Sequence, residues 1–586
     1  MKKFLMGLVG IMAGLVAYPV ILYADPDTPG SAALAGDTWE SLIEIRDNSD
    51  TWPEGKTDGG WWVTPIHATL LPQSGKVLIT GWERRDRDNC APPDGARKYG
   101  TSFEFDPAKD TETTLYIEPL DEQGLRTGTT QDVLYCAGQA PMYDGRILYV
   151  GGSRYTNLGY PGQTELGLDY ARVYDPESQA FTRVKYPFGG DPEGANLRWY
   201  PSVTRLADGR MLVSGGFTQC CDFDAYNRSL QVFDLKMFDA NRDPWSTLVS
   251  HEESRPEMDE LIQDYPRVFL LPQEVTADGR KRQVAILGSK GKVLLLNTDA
   301  PNLTGEERLI VATGERPGGA DYSIGYAGLA LTSTNRIMVM GGSLDPKVVQ
   351  QVDFYDVEHQ TWGDPVDTGI GRRFPASVLL PTGKTLIING GPFYKDEYLN
   401  FPALNYKGDR RQPQIIDPTK PRDVETYNPW PDKRERGYHS IALLLKDGRV
   451  LVGGGVSSDG GVGCERPDLQ IYNPTYLSGE RPRFKENVSE PVGMTVGGNE
   501  ITLDYHGGAL QREGGVVLMA PGSFTHHFDN NQRYVALEFT AEDGKLRVKP
   551  PPNTSIAPEG DYVLYLVSQS GTPSEGKWVH LNAAPG

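Results

Sequence analysis

The stretch Tyr438–Gly455 reads YHSIALLLKDGRVLVGGG: an apolar strand, a tight turn at Asp447-Gly448, a second apolar strand and a run of glycines. The same grammar recurs at His67–Gly81 (HATLLPQSGKVLITG), Tyr135–Gly152 (YCAGQAPMYDGRILYVGG), Trp199–Gly216 (WYPSVTRLADGRMLVSGG), Arg267–Gly288, Tyr326–Gly342 (YAGLALTSTNRIMVMGG) and Phe374–Gly391 (FPASVLLPTGKTLIINGG). Asp-Gly at 144–145, 208–209, 278–279 and 447–448 is the signal of a two-residue hairpin, in which both central residues need positive φ. Many copies lead to a third strand ending in an aromatic-Asp or aromatic-Asn pair: Phe105-Asp106, Tyr174-Asp175, Phe233-Asp234, Tyr355-Asp356 and Tyr472-Asn473. A four-stranded unit recurring roughly every 50 residues is the kelch pattern. One blade cannot bury its own faces, so the blades must close into a ring. Seven copies predict an all-β chain whose residues 61–474 form a seven-bladed kelch-type propeller.

Beyond Pro474 the pattern changes. EITLDYHG, GGVVLMAPG, YVALEF, KLRVKP and DYVLYLVS alternate with turns, and turn signals every ~8–12 residues read as an immunoglobulin-like β-sandwich over 475–586. Residues 25–60 are too few for a domain and are expected to brace or close the ring. Pro256–Gln263 (PEMDELIQ) could make two helical turns.

Upstream lies Met1-Lys2-Lys3, an apolar run from Phe4 to Ala24, then Asp25-Pro26-Asp27. A basic start, an apolar stretch and a polar exit make residues 1–24 a secretory signal. The run is also long enough to serve as an uncleaved membrane anchor. Either way the rest of the chain is expected outside the cytoplasm, as a secreted, periplasmic or surface-held monomer. Of the 586 residues, 67 are glycine and 44 proline, a share above the ~12% background that favours a loop-rich β protein. Net charge is −20, which argues against a nucleic-acid partner, since phosphate binding needs a basic face. Five cysteines, Cys90, Cys136, Cys220, Cys221 and Cys464, leave one thiol over for other chemistry in an exported chain. The remaining four allow three pairings, and spacing does not choose among them.

Propeller loops on one rim converge on the axis, so the starts of the copies can be compared. His67-Ala68, Tyr326-Ala327 and Phe374-Pro375 read as inert. Tyr135-Cys136, Arg198-Trp199-Tyr200-Pro201 and Arg436-Gly437-Tyr438-His439-Ser440 stand out, because imidazole with phenolate oxygen suits Cu(II). A second imidazole could come from His526-His527 in GSFTHHFDNNQR. Neighbours on a strand face opposite ways, so one of the two at most would face a metal. Spacing alone favours a solvent-exposed pair.

These motifs resemble those of the copper radical oxidases, the family of galactose oxidase and glyoxal oxidase, above all RGYHSIALLLKDGRVLVGGG at 436–455, QIYNPTYL at 470–477 and THHFDNNQR at 525–533. The resemblance runs from about residue 60 to the end. It implies one copper ion held by Tyr438 (axial), His439, His526 and Tyr200 (equatorial), with Tyr200 joined through a thioether to Cys136 as a radical cofactor. The implied catalytic groups are Cys136, Tyr200 and Tyr438. The implied reaction removes two electrons from a small aldehyde or primary alcohol and reduces dioxygen to hydrogen peroxide, without an organic cofactor. Where galactose oxidase stacks a tryptophan over its thioether, this chain has Phe217-Thr218 after Gly215-Gly216, with Phe393 or Tyr394 as other candidates. Its Pro346-Lys347 replaces another pocket segment, which argues against a galactose pocket. A galactose-type carbohydrate oxidase, or a non-catalytic kelch scaffold, are the competing readings.

Overall fold

The computed structural model describes residues 36–47, 61–84, 99–108, 111–113, 131–156, 164–185, 197–219, 227–250, 265–391 (apart from 278, 289–290, 301, 313, 315, 318–322 and 345–346), 408–432, 435–457 and 464–584. The leader, the segment Pro256–Gln263 and residues Cys90, Cys220, Cys221, Pro346, Phe393 and Tyr394 lie outside the described residues.

The predicted repeat folds as seven antiparallel sheets built on four-stranded blades. The innermost strands are Trp61–Leu70, Gln131–Pro141, Ser202–Arg205, Arg267–Ala277, Ser323–Leu331, Ala376–Leu379 and Ser440–Leu444. Each packs on the next around a ring, and the seventh returns to the first. The aromatic-Asp and aromatic-Asn pairs end third strands as the sequence predicts, at Asp106, Asp175, Asp356 and Asn473. After Phe233 the chain differs, because Asp234 caps a short helix, Leu235–Asp239.

The hairpins correct one expectation. Gly145, Gly209 and Gly448 have φ of 90, 86 and 91°, while the preceding aspartates keep ordinary negative φ. At Asp208-Gly209 the Leu206 amide donates to Arg210 O (2.8 Å) and the Gly209 amide donates to Leu206 O (3.1 Å). This is a type I turn followed by a left-handed glycine bulge, not the two-residue turn. Asp208 Oδ1 accepts from the Arg210 amide at 3.0 Å, so aspartate serves as a side-chain acceptor rather than as a left-handed residue.

The double glycines mark where blades touch. A Cβ on Gly151 would lie 2.2 Å from Arg198 O of the next blade, and one on Gly454 would lie 2.2 Å from Pro65 O of the first. The arginine ahead of three inner strands ties its own blade, bonding to the end of the second strand. Fully buried Arg198, Arg372 and Arg436 donate to Gly215 O (2.5 Å), Asn389 O (2.6 Å) and Gly454 O (3.0 Å).

Ring closure uses the N-terminal segment. Thr38–Trp39 pairs with Asn473 and Tyr472, so the outer strand of the seventh blade comes from the other end of the chain. Arg46–Asp47 then pairs with the start of the first blade. The C-terminal residues form a five-stranded and a four-stranded sheet around a core that includes Leu503, Val516, Leu518, Leu546 and Leu564. A hairpin of this sandwich, Ser523–Thr525 with Phe528–Asp529, leaves it and adds to the inner edge of the first blade in the register His67↔Thr525, Ala68↔Phe524, Thr69↔Ser523.

Trp39 packs on Tyr472 (4.7 Å between centroids) and edge-on to Trp430 (5.5 Å). Trp39→Ala is expected to cost about 3 kcal/mol, the low end for a large aromatic because Trp39 is only part-buried. A lowered urea midpoint checks this, and an unchanged midpoint would show that the strand does not hold the ring shut.

Candidate metal centre

At the start of an inner strand the sheet ladder must give way for a side chain to reach the axis. The register shifts between Val133 and Ala137, and between Pro65 and His67. Cys136, Tyr200, Tyr265, Phe374 and His439 take φ of 67, 67, 41, 60 and 66°. Such left-handed backbone costs a non-glycine residue about 1–3 kcal/mol and persists only where the surroundings fix it. The same device appears at the hairpin tip, where His526 and His527 have φ of 45 and 71°.

The five residues singled out from sequence come together. The Tyr200 and Tyr438 hydroxyls are hydrogen-bonded to each other. Cys136 Sγ and ring nitrogens of His439 and His526 lie within 4.8 Å of one another, all buried. The His526 ring is 4.7 Å from Tyr200, 5.4 Å from Tyr438 and 4.8 Å from His439. Four separate chain segments supply these groups: the second, third and seventh blades and the sandwich hairpin.

Each imidazole is oriented through its far nitrogen. His439 Nδ1 pairs with the Glu465 carboxylate, and His526 Nδ1 meets the Thr525 hydroxyl at 2.7 Å. His526 Nε2 is thereby turned into the cluster, where it has no hydrogen-bond partner among the described residues. Burial first, then the charge of His439, depresses the His526 pKa far below the usual imidazole value. The Tyr200 phenol is pushed well up by burial, then by Cys136 and Tyr438. A neutral His526 imidazole beside a Tyr200 phenol that cannot ionise unaided makes a site that fits a cation, and the N,O donor set suits copper.

Several sequence expectations are overturned here. His526-His527 is not an exposed pair: the two residues are 2% and 1% exposed. Only His526 joins the cluster, because the left-handed tip sends His527 toward Phe374, 4.7 Å away. Phe374 is not inert either, packing 5.3 Å from Tyr438. His67 is fully buried against the cluster, its ring 5.9 Å from His526. The group stacked on Tyr200 is Trp199, at 3.7 Å and 14°, its indole donating to Ser153 Oγ at 3.1 Å. Phe217 stands behind Trp199 at 6.0 Å.

The repeat pattern misses Tyr265, because its fourth copy begins in sequence at Arg267. Tyr265 stacks on Tyr200 at 4.6 Å and 28°. Two rings this close and this nearly parallel cannot share a face, so Trp199 and Tyr265 sandwich Tyr200. A signal for it does exist in the chain: Tyr265-Pro266 repeats Tyr200-Pro201 and Phe374-Pro375.

Burial and the charge of His439 lower the His67 pKa to about 3, and burial followed by Arg267 takes His527 well down. His67, His526 and His527 are thus neutral in the fold but gain protons in the unfolded chain below about pH 6.5, each contributing up to about 1.4 kcal/mol per pH unit. Stability of the metal-free protein should therefore fall as pH drops from about 6.5 towards 3. Urea midpoints at pH 7, 6 and 5 check this, and a flat profile would contradict it.

Comparison with known proteins gives the same direction. A family model described as Galactose oxidase-like, Early set domain, matches residues 481–581. An aldehyde oxidase of Arabidopsis thaliana is 27% identical over 433 residues, covering 66% of this chain and 64% of that protein, so the chain spans just under two thirds of that relative's length. A galactose oxidase of Gibberella zeae is 24% identical over 578 residues, covering 93% of this chain and 74% of that one. A solved structure of a fungal alcohol oxidase of the AA5 family, in complex with copper, superposes with a TM-score of 0.64 at 17% identity, covering 94% of this chain and all of that one, and so shares the fold. Over most of its length the chain is similar in sequence to proteins named aldehyde oxidase and galactose oxidase, and its fold is that of a copper-bound alcohol oxidase, the same group of proteins that its motifs resemble.

Proposed function

We propose that the protein is an exported, monomeric copper radical oxidase that oxidises a small aldehyde or primary alcohol and reduces dioxygen to hydrogen peroxide. The observation that carries this is the convergence of Cys136, Tyr200, Tyr438, His439 and His526 on one buried point. A binding scaffold has no use for that set.

His439, His526, Tyr200 and Tyr438 would hold the copper. When bound, it supplies a one-electron acceptor and a Lewis acid that acidifies a substrate hydroxyl. The chain supplies the rest. Tyr200, linked to Cys136 and sandwiched between Trp199 and Tyr265, stores the second oxidising equivalent as a radical. Tyr438 takes the hydroxyl proton of the alcohol, or of the hydrate that an aldehyde forms with water, as general base; it is the less buried of the two tyrosines. Tyr200 then takes a hydrogen atom from the substrate carbon. The two electrons and two protons leave on dioxygen as peroxide.

Both aldehyde oxidases and galactose oxidase align with this chain. A peroxide assay across glyoxal, methylglyoxal, simple alcohols and galactose therefore separates the small-substrate reading from the carbohydrate one. Copper-treated protein should lose two hydrogens by intact mass. Cys136→Ala should abolish that loss and most of the turnover, and full activity in the variant would remove the proposed mechanism. Glu465→Gln leaves His439 without its carboxylate partner, and losing such a partner typically weakens metal binding about 10–100-fold. Competition against a copper chelator measures it; unchanged affinity would show that Glu465 does not orient the ligand.

A further inference from the structure

The starts of neighbouring inner strands are tied in series. The Tyr265 amide donates to Tyr200 O at 2.7 Å, and the Tyr200 amide donates to Cys136 O at 2.9 Å. At the next step round the ring the link changes kind. The Cys136 amide donates not to a main-chain carbonyl of the first blade but to the side chain of His67, at Nε2, 3.0 Å away. His67 holds in the first copy the place that Cys136, Tyr200 and Tyr265 hold in theirs. Unlike them it has no left-handed backbone: it stays in the ladder, opposite Thr80 on one side and Thr525 of the sandwich hairpin on the other. Its carbonyl is thus not offered to the neighbour, and its imidazole is.

We propose that His67 is a positioning residue for the Cys136–Tyr200 cross-link, its ring nitrogen accepting the Cys136 amide and so holding the thiol against the phenol ring that it must attack. The inference rests on the radical-oxidase reading above. Cys136 sits at φ 67° in a strand whose register has shifted, so its amide has left the sheet. Both residues are buried: Cys136 is 3% exposed and His67 is 0% exposed. A buried amide without an acceptor is strongly disfavoured, and the backbone would relax to an ordinary conformation that carries Sγ away from Tyr200. With the amide held by His67 and the carbonyl held by the Tyr200 amide, the Cys136 main chain is fixed on both sides. Nε2 is engaged with this amide, and the clustered donor atoms of Cys136, His439 and His526 do not include His67, although its ring lies near His526.

Cross-linking joins Cys136 Sγ to a Tyr200 ring carbon. The S–H bond and one ring C–H bond break, and the two electrons and two protons pass to dioxygen, giving peroxide, with copper present. The product is lighter by two hydrogens, a readout independent of substrate turnover.

The test follows that mass loss over time after copper is added, under air, to metal-free full-length protein. Wild type is compared with His67→Phe, which keeps a ring but removes the acceptor, and with His67→Gln, whose Oε1 restores one. Copper content of each sample is measured in parallel. The expected result is that His67→Phe binds copper yet cross-links at least tenfold more slowly, while His67→Gln stays within about threefold of wild type. Cross-linking of His67→Phe at the wild-type rate, or His67→Gln as slow as His67→Phe, would overturn the assignment. Should His67→Phe not fold, His67→Gln decides alone: a retained rate upholds the acceptor role and a tenfold loss overturns it. Wild-type protein that never loses two hydrogens removes the radical-oxidase reading and this inference with it, whereas equal rates in wild type and His67→Phe remove only the inference.

Discussion

At five of the seven inner-strand starts a residue leaves the sheet ladder to turn its side chain toward the centre of the ring, and the strained backbone at those points is what the surrounding structure has to hold. Five inner-strand starts and two residues of the sandwich hairpin adopt left-handed φ without being glycine. At about 1–3 kcal/mol each, this is comparable with the whole net stability of an ordinary domain. The strain is offset locally. Buried Arg198, Arg372 and Arg436 stand two residues before Tyr200, Phe374 and Tyr438, and each clamps the carbonyls of the facing strand end. The double glycines let the preceding blade approach the main chain of the same arginines, so that the Gly152, Gly342 and Gly390 amides donate to Arg198 O, Arg372 O and Arg436 O at 3.1, 3.1 and 2.9 Å.

What the sequence discloses and what it hides follow the same division. Apolar runs, glycine turns and terminal aromatic-Asp pairs are local, so the blades can be counted along the chain itself. Features that need two distant segments are not legible in that way. The outer strand of the seventh blade comes from Thr38–Trp39, more than four hundred positions before its partner Tyr472. The Asp-Gly pairs mark turns correctly but do not fix their geometry. Aspartate can favour a turn either by adopting positive φ or by accepting a nearby amide, and here it does the second.

At the site, residue type is a better guide than residue position. Cys136, Tyr200, Tyr438 and His439 are marked by being unusual among the copies. His67 and Phe374 look inert when each is judged on its own motif, because what they touch depends on the register of other blades. Spacing in a polar segment misplaces His526-His527 as a solvent-exposed pair, because both lie buried at a tip where both residues are left-handed. An offset of two residues in the fourth copy hides Tyr265, although its Tyr-Pro pair matches the third.

The sandwich does more than cap the ring. Its hairpin contributes His526, and it does so by lying along the inner edge of the first blade, where His67 pairs with Thr525. Through Ala68 and Phe524 the same register runs on into a core shared by the first, fifth, sixth and seventh blades and by sandwich residues Val517, Met519 and Trp578. The position of the His526 imidazole is thereby set by the packing of the C-terminal unit against the ring. His67 joins the two halves of the site: its main chain fixes the hairpin that bears His526, and its side chain holds the amide of Cys136. A change that shifts the hairpin along the first blade would therefore displace His526 and Cys136 together, which ties the assembly of the cluster to the docking of the sandwich rather than to the propeller alone.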